Sequence, residues 1–78
     1  MTLNLIRKER PNVALFYLKN ALDIEQSDAN MDDLNISGTH LNLCAIYSKL
    51  GKHIYSIYHA RNAIKLIEKI LREKDQLN

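Results

Sequence analysis

The side chains with metal-binding or nucleophilic chemistry are three histidines and a single cysteine. His40 and Cys44 are four positions apart, so both would lie on one face of a helix and could supply two ligands to Zn²⁺. A zinc site needs at least one more ligand, and His59 has no acidic neighbour at a suitable spacing. We therefore interpret His40 and Cys44 as packing residues and predict that the chain holds neither a metal nor another cofactor.

Cys44 is also a candidate nucleophile, and thiolate catalysis requires a nearby base and a group that orients it. The sequence identifies neither group, and a cysteine at a small-residue helix contact is expected to be buried and unreactive. The sequence also contains no Gly-rich phosphate loop, serine elbow or carboxylate pair. The pattern predicts a protein that is not an enzyme.

Four tyrosines raise the alternative of nucleic-acid binding, in which aromatic rings stack on bases beside cationic side chains. Tyr55 and Tyr58 would act there with Arg61 and Lys65. However, Tyr47 fits the core face of its helix, and the net charge of +2 is too small to indicate a nucleic-acid partner. A solvated basic face is the favoured interpretation.

The apolar residues recur at three- and four-residue intervals, which predicts three helices that position these side chains. The helices are expected over residues 12 to about 26, about 34–50 and about 53–75. A short helical segment is expected before them, with the apolar residues Leu3, Leu5 and Ile6.

Residues at the ends of these helices support the assignment. Pro11 suits the first turn of the first helix, because its missing N–H would have no helical partner there. Asp32 or Asp33 would cap the second helix, and Gly51 would end it in the left-handed conformation. Since the turn at Gly51 is short, the second and third helices are expected to form an antiparallel αα-hairpin.

Each helix of the predicted hairpin has an apolar face. On the second helix the face consists of Leu43, Ile46, Tyr47 and Leu50, and on the third it consists of Ile57, Ala60, Ala63, Ile64 and Ile67. Three small residues, Ser56, Ala60 and Ala63, would let the two backbones approach closely. We predict that this stripe of the third helix makes the hairpin contact.

These residues resemble the tetratricopeptide repeat family. Leu43, Tyr47, Gly51 and Ala63 match the family pattern, and the size-tolerant replacements are Cys44, Ser56 and Ala60. His40 and Glu68 depart from it, where the pattern has an aromatic residue and a proline.

The first helix aligns with the third, so that Ala21 corresponds to Ala63, an interval of 42 residues (63 − 21 = 42). Because a usual repeat has about 34 residues, this chain resembles the longer-repeat variant found in kinesin light chains. The resemblance implies an all-α fold built from antiparallel helical hairpins of a solenoid, with about one and a half to two repeats. Residues 1–78 would form a single domain, with a partial repeat at 1–26, a complete repeat at 33–66 and an extension of the final helix at 67–78.

Composition limits the remaining possibilities. A chain of 78 residues with 46% hydrophobic residues suits one small folded domain. No stretch reaches the about 20 apolar residues that span a bilayer, and the first ten residues do not follow the order of a signal peptide. One cysteine suits a reducing compartment. The cytoplasm is therefore the expected location.

The resemblance implies a non-catalytic scaffold or adaptor that binds a peptide or a partner helix. The predicted groove lies on the second helix, around Gly38, and its contact residues are Leu41, Asn42, Ala45 and Lys49. A docking edge is predicted at Ile67, Ile70 and Leu71.

Two alternatives remain open. The chain could be a structural subunit, or a fragment, built permanently into a larger assembly such as a cytoskeletal or ciliary complex. It could instead be a nucleic-acid-binding module, whose affinity would fall steeply with added salt.

Overall fold

Three helices account for almost all of residues 10–77, the part of the chain that the computed structural model describes. They are α1 (Pro11–Ser27), α2 (Asp33–Lys49) and α3 (His53–Leu77), and residues 10–77 contain no strand. Their ends lie within two residues of the predicted ones. The all-α prediction is confirmed for this part of the chain, whereas the predicted helical segment around Leu3, Leu5 and Ile6 lies outside the described residues.

Both ends of α2 are formed by local hydrogen bonds. The Asp32 carboxylate accepts a hydrogen bond from the backbone N–H of Asn35 at 2.8 Å, which confirms the predicted N-cap. At the other end Gly51 has a φ of 74°. The N–H of Gly51 donates to the Ser48 carbonyl at 3.0 Å, and the N–H of Lys52 donates to the Tyr47 carbonyl at 2.8 Å. This pair of bonds is a Schellman motif, which stops the helix and reverses the chain.

The apolar core lies mainly between α1 and α2. Its buried members are Ala14, Leu18, Leu43, Ile46 and Tyr47, and the half-buried residues packed against them are Leu15, Leu22 and Leu50. Helix α2 packs against both of the other helices, and its contact with α3 is the more extensive one. The middle helix therefore organises the described part of the chain.

The predicted packing stripe of α3 is wrong in part. Helix α3 buries Ser56, His59 and Ala63, whereas Ile57 and Ile64 are 52% and 53% exposed. The small residues that were expected to allow close approach do lie in or near the contact. The small-residue row meets α2 because serine and alanine allow a short distance between the axes of α2 and α3. Branched isoleucines in the same row would hold the two helices further apart.

The end of α3 passes the beginning of α2. The Lys69 ammonium lies 3.0 Å from the Asp33 carboxylate, and this hydrogen bond raises the pKa of Lys69. Because Asp33 is the first residue of α2, the part of α3 beyond Lys69 extends roughly 12 Å further at 1.5 Å per residue. Residues 71–76 are exposed.

Candidate functional site

The middle helix presents three faces with different surroundings. One face meets α1 through the buried residues Leu43 and Ile46, and the Thr39 hydroxyl donates to the Glu25 carboxylate at 2.7 Å on the same side. A second face meets α3 through His40 and Cys44. Neither neighbouring helix covers the third face, which is the candidate binding surface.

This third face, which we call the open face of α2, contains the predicted groove residues. Leu41 is 48% exposed, and Ala45 and Lys49 are exposed one and two turns further along. Asn42 is half-buried at the margin of the face. A Cβ atom built on Gly38 would meet nothing within 4 Å apart from its chain neighbours and the backbone of its own helix, so no other element covers the backbone there.

The structure adds one residue to the open face and changes its shape. Leu34 is exposed in the first turn of α2, one turn before Gly38. Leu34, Gly38, Leu41 and Ala45 therefore follow one another along the helix at three- and four-residue steps. Within residues 10–77 no second helix lies beside this face of α2. The surface is therefore a single helix face and not a groove with two walls.

The residues of the predicted docking edge, spaced at i, i+3 and i+4, share one side of α3 but are unequally exposed. Ile67 and Leu71 are exposed, but Ile70 is half-buried and follows the fully buried Ala63 by seven positions, on the same side of α3. The exposed isoleucines and leucine of α3 instead form a longer row, which we call the outward stripe: Ile54, Ile57, Ile64, Ile67 and Leu71. The apolar spacing predicts Ile57, Ile64 and Ile67 at the hairpin contact, and their exposure of 52%, 53% and 36% shows that this part of the prediction is wrong.

A pair of histidines lies at the contact between α2 and α3. The Nδ1 atoms of His40 and His59 are 2.9 Å apart, and the two side chains are only 4% and 8% exposed. At this distance one ring donates an N–H and the other accepts it, so the two neutral rings adopt different tautomers. The Tyr47 ring stacks on His59 with 5.5 Å between centroids, and Tyr58 contacts the same ring edge-on at 5.0 Å.

Burial changes the proton affinity of both histidines in the same direction. Desolvation lowers the pKa of His40, and the nearby Glu25 carboxylate opposes this effect. Desolvation also lowers the pKa of His59, and the charges of His40 and Lys19 lower it further. The folded chain therefore favours the neutral form of both histidines at neutral pH.

Cys44 is held beside Ser56. The Ser56 hydroxyl donates to the Cys44 carbonyl at 2.9 Å, and its oxygen lies 3.2 Å from the Cys44 sulfur. The thiol thus has a hydroxyl for a neighbour and not a base. Within residues 10–77 no three His, Cys, Asp or Glu side chains gather in a way that could hold a metal ion. These contacts are those of packing residues.

The tyrosines differ in their surroundings. Tyr47 is buried, as expected, and its ring stacks on Tyr55 with 5.3 Å between centroids. Tyr55 and Tyr58 are exposed at their other sides, and Arg61 is exposed nearby on α3. Because the Tyr55 ring already stacks on Tyr47, a further ring or base could stack on its other face only.

Two further observations concern the class of protein. No helix in the described part of the chain is long and apolar enough to cross a membrane. Comparison with protein families, with curated proteins and with solved structures finds no match for this chain.

Proposed function

We propose that this chain is a non-catalytic, tetratricopeptide-like interaction module that binds a peptide or a partner helix along the open face of α2. The observation that carries the proposal is the arrangement around the middle helix. Two of its faces are closed by α1 and α3, and the third exposes Leu34, Leu41 and Ala45 in one row. An apolar row on a helix held from two sides is a preformed surface, and a preformed surface loses little entropy on binding.

The hairpin geometry supports the family resemblance. Helices α2 and α3 are joined through a left-handed glycine, and small side chains occupy their contact. The aligned residues of α1 and α3 also agree in burial at two places, since Ala14 and Ser56 are both buried and Leu18 and Ala60 are both at least partly buried. This partial agreement between the two helices that flank α2 supports a helical repeat.

The chemistry of the open face indicates what it binds. Leu41 and Ala45 offer apolar contact, Gly38 allows a backbone to approach, and Lys49 is the one cationic side chain predicted for the groove. A surface that clamps a peptide carboxylate would need several cationic and amide groups. A peptide with apolar side chains, extended or helical, fits this face better.

A peptide-library selection tests the proposal. Peptides displayed on phage would be selected against the chain, synthesised, and measured by fluorescence anisotropy. We expect the chain to select peptides rich in aliphatic residues. The variant Leu41→Glu/Ala45→Glu should bind them at least about tenfold more weakly, a loss of about 1.4 kcal/mol.

The control variant is Asn12→Glu/Gln26→Glu, which adds the same charge at two exposed polar positions of α1. It should bind the selected peptides as the original chain does. Circular dichroism should show the same helix content for all three proteins, because none of the four positions is buried. A selection without binders, or binders that do not respond to the changes at Leu41 and Ala45, would contradict the proposal.

A structural subunit of a larger assembly is the second candidate. The observation that favours it is the apolar surface of the two outer helices, where α1 exposes Val13, Phe16, Tyr17 and Ile24 and α3 exposes the outward stripe. Exposed patches of this kind mark interfaces. This candidate predicts that the isolated chain self-associates or loses helix content in light scattering and circular dichroism across a concentration series. A helical monomer with a cooperative melt would instead favour the interaction module.

A further inference from the structure

We propose that two copies of this chain pair through the outward stripe of α3, with the two α3 helices antiparallel around a two-fold axis at Ile64. The proposal goes beyond the proposed function, because the stripe lies on α3 whereas the open face belongs to α2. It commits to a second copy of this chain as the occupant of the stripe.

Charged residues continue the spacing of the stripe. Arg61 and Glu68 lie between its aliphatic residues, and His53 and Asp75 lie at its two ends. All four side chains are exposed. Steps of three and four residues place the complete row on one side of the helix: His53, Ile57, Arg61, Ile64, Glu68, Leu71 and Asp75. The basic side chains of this row stand before Ile64, and the acidic ones stand after it.

The row is complementary to itself when its direction is reversed. In an antiparallel pair with the axis at Ile64, two residues lie level when their numbers add up to 128. Ile57 is then level with Leu71 of the second copy (57 + 71 = 128), and His53 is level with Asp75 of the second copy (53 + 75 = 128). Arg61 and Glu68 add up to 129, which displaces them by one residue, or about 1.5 Å. A two-fold contact between identical chains requires this kind of self-complementarity.

Three other charges of α3 lie away from this row. The Lys69 ammonium is 3.0 Å from the Asp33 carboxylate of α2, and the charge of Glu73 helps to raise the pKa of Lys69. Lys74 follows the buried Ala63 by eleven positions and therefore lies on the side of α3 that faces α2. These groups do not enter the contact.

The last two cations of α3 flank the contact. Lys65 and Arg72 each follow a residue of the stripe by one position, so each is rotated from it by about 100° around the helix. The two copies of Lys65 come near each other beside the axis, but their long side chains can turn outward into water. Within the contact itself, the charges that face one another are therefore opposite in sign.

The order of charges also excludes simpler occupants. A partner helix of uniform charge would be attracted by one half of the row and repelled by the other half. A parallel pair of α3 helices would place Arg61 opposite Arg61 and Glu68 opposite Glu68. Antiparallel pairing of two copies replaces both of these repulsions with two Arg61–Glu68 contacts.

Analytical ultracentrifugation of the full chain from micromolar to millimolar concentration tests the proposal. We expect a reversible equilibrium between monomer and dimer with no larger species. Ile57→Glu/Leu71→Glu should weaken the dimer at least about tenfold. The matched control, Val13→Glu/Ile24→Glu, makes the same change at exposed aliphatic residues of α1 and should leave the dimer unchanged.

A charge exchange tests the antiparallel arrangement. Arg61→Glu and Glu68→Arg each place like charges opposite one another at two symmetric sites, and each should weaken the dimer at least about tenfold. The combined variant Arg61→Glu/Glu68→Arg restores opposite charges and should form the dimer as the original chain does. A mixture of the two single variants should form a mixed dimer, which native mass spectrometry distinguishes by its mass. Circular dichroism should show unchanged helix content, because both positions are exposed.

Several results would overturn the proposal: a monomer at every concentration, single variants that form the dimer as the original chain does, or a combined variant that does not restore it. Association beyond two copies that ignores the charge exchange would also overturn it, and that result would favour the structural subunit described above. The Leu41→Glu/Ala45→Glu variant should still form the dimer. Failure of the open face and failure of the outward stripe therefore give different results.

Discussion

The buried pair of His40 and His59 predicts that the chain loses stability between pH 7.5 and pH 5.5. Burial lowers the pKa of both rings below their ordinary value of about 6.5. The unfolded chain therefore binds more protons than the folded chain in this range. The free energy of unfolding consequently falls as the pH falls through 6.5, and the contribution of the pair is fully present above it.

The structure limits the size of this effect. A histidine that stays neutral in the folded chain lowers the free energy of unfolding by about 1.4 kcal/mol on acidification from pH 7.5 to pH 5.5. The pair can accept one proton and keep its 2.9 Å hydrogen bond, because a charged ring still donates from Nδ1 to the neutral one. Two protons would place two N–H groups against each other. The expected loss is up to about 1.4 kcal/mol if one proton is accepted and up to about 2.8 kcal/mol if none is.

Urea unfolding followed by circular dichroism at a series of pH values measures the loss. The variant His40→Leu/His59→Leu removes both partners together, so that neither is left buried without a hydrogen bond, and its stability should not change between pH 7.5 and pH 5.5. His53→Gln removes the exposed third histidine and should keep the full pH dependence. A flat profile for the original chain, or the same slope in the double leucine variant, would refute the reasoning.

Three stability changes test the packing and the turns, each measured by urea unfolding. Leu43→Ala should lower the free energy of unfolding by about 2–5 kcal/mol, because Leu43 is fully buried between α1 and α2; a loss as small as that of the half-exposed Leu41→Ala would contradict this core. Gly51→Ala should lower it by about 1–2 kcal/mol, because alanine is strained at a φ of 74° although no atom would meet its Cβ. Gly51→Asn should lower it less, and equal losses for both variants would argue against a left-handed turn. Asp32→Ala should lower it by about 0.5–2 kcal/mol through loss of the cap to Asn35, and Asp32→Asn, which keeps an accepting oxygen, should lower it less.

The sequence predicts which residues share the open face, because their spacing on α2 alone decides that, whereas the packing of α1 and α3 decides that this face is uncovered. Leu41, Ala45 and Lys49 share one side of a helix by their spacing, and the structure leaves that side uncovered. Leu34 was missed because it lies in the first turn, although it fits the same spacing. The unequal exposure of the docking edge could not be predicted, since Ile67 and Ile70 share one side of α3 by their spacing and only the tertiary packing makes Ile70 the more buried of the two.

What the sequence by itself determined is local: three helices, their ends, the Asp32 cap and the left-handed turn at Gly51. Each depends on side chains and backbone groups within about one helical turn, and the residue types there allow few alternatives. Only the tertiary structure decided which row of α3 meets α2. Periodicity favours the row with most isoleucines, but the contact selects the row with Ser56, His59 and Ala63, because close approach requires small side chains.

The histidine pair belongs entirely to the tertiary structure. His40 and His59 are on different helices and 19 positions apart, so no spacing within one helix relates them. They meet because the turn at Gly51 makes α2 and α3 antiparallel, and because Ser56 and Ala63 on the same side of α3 let the two backbones come close. Residues within one turn determine where a helix begins and ends, but the distance between two helices determines which of their side chains touch.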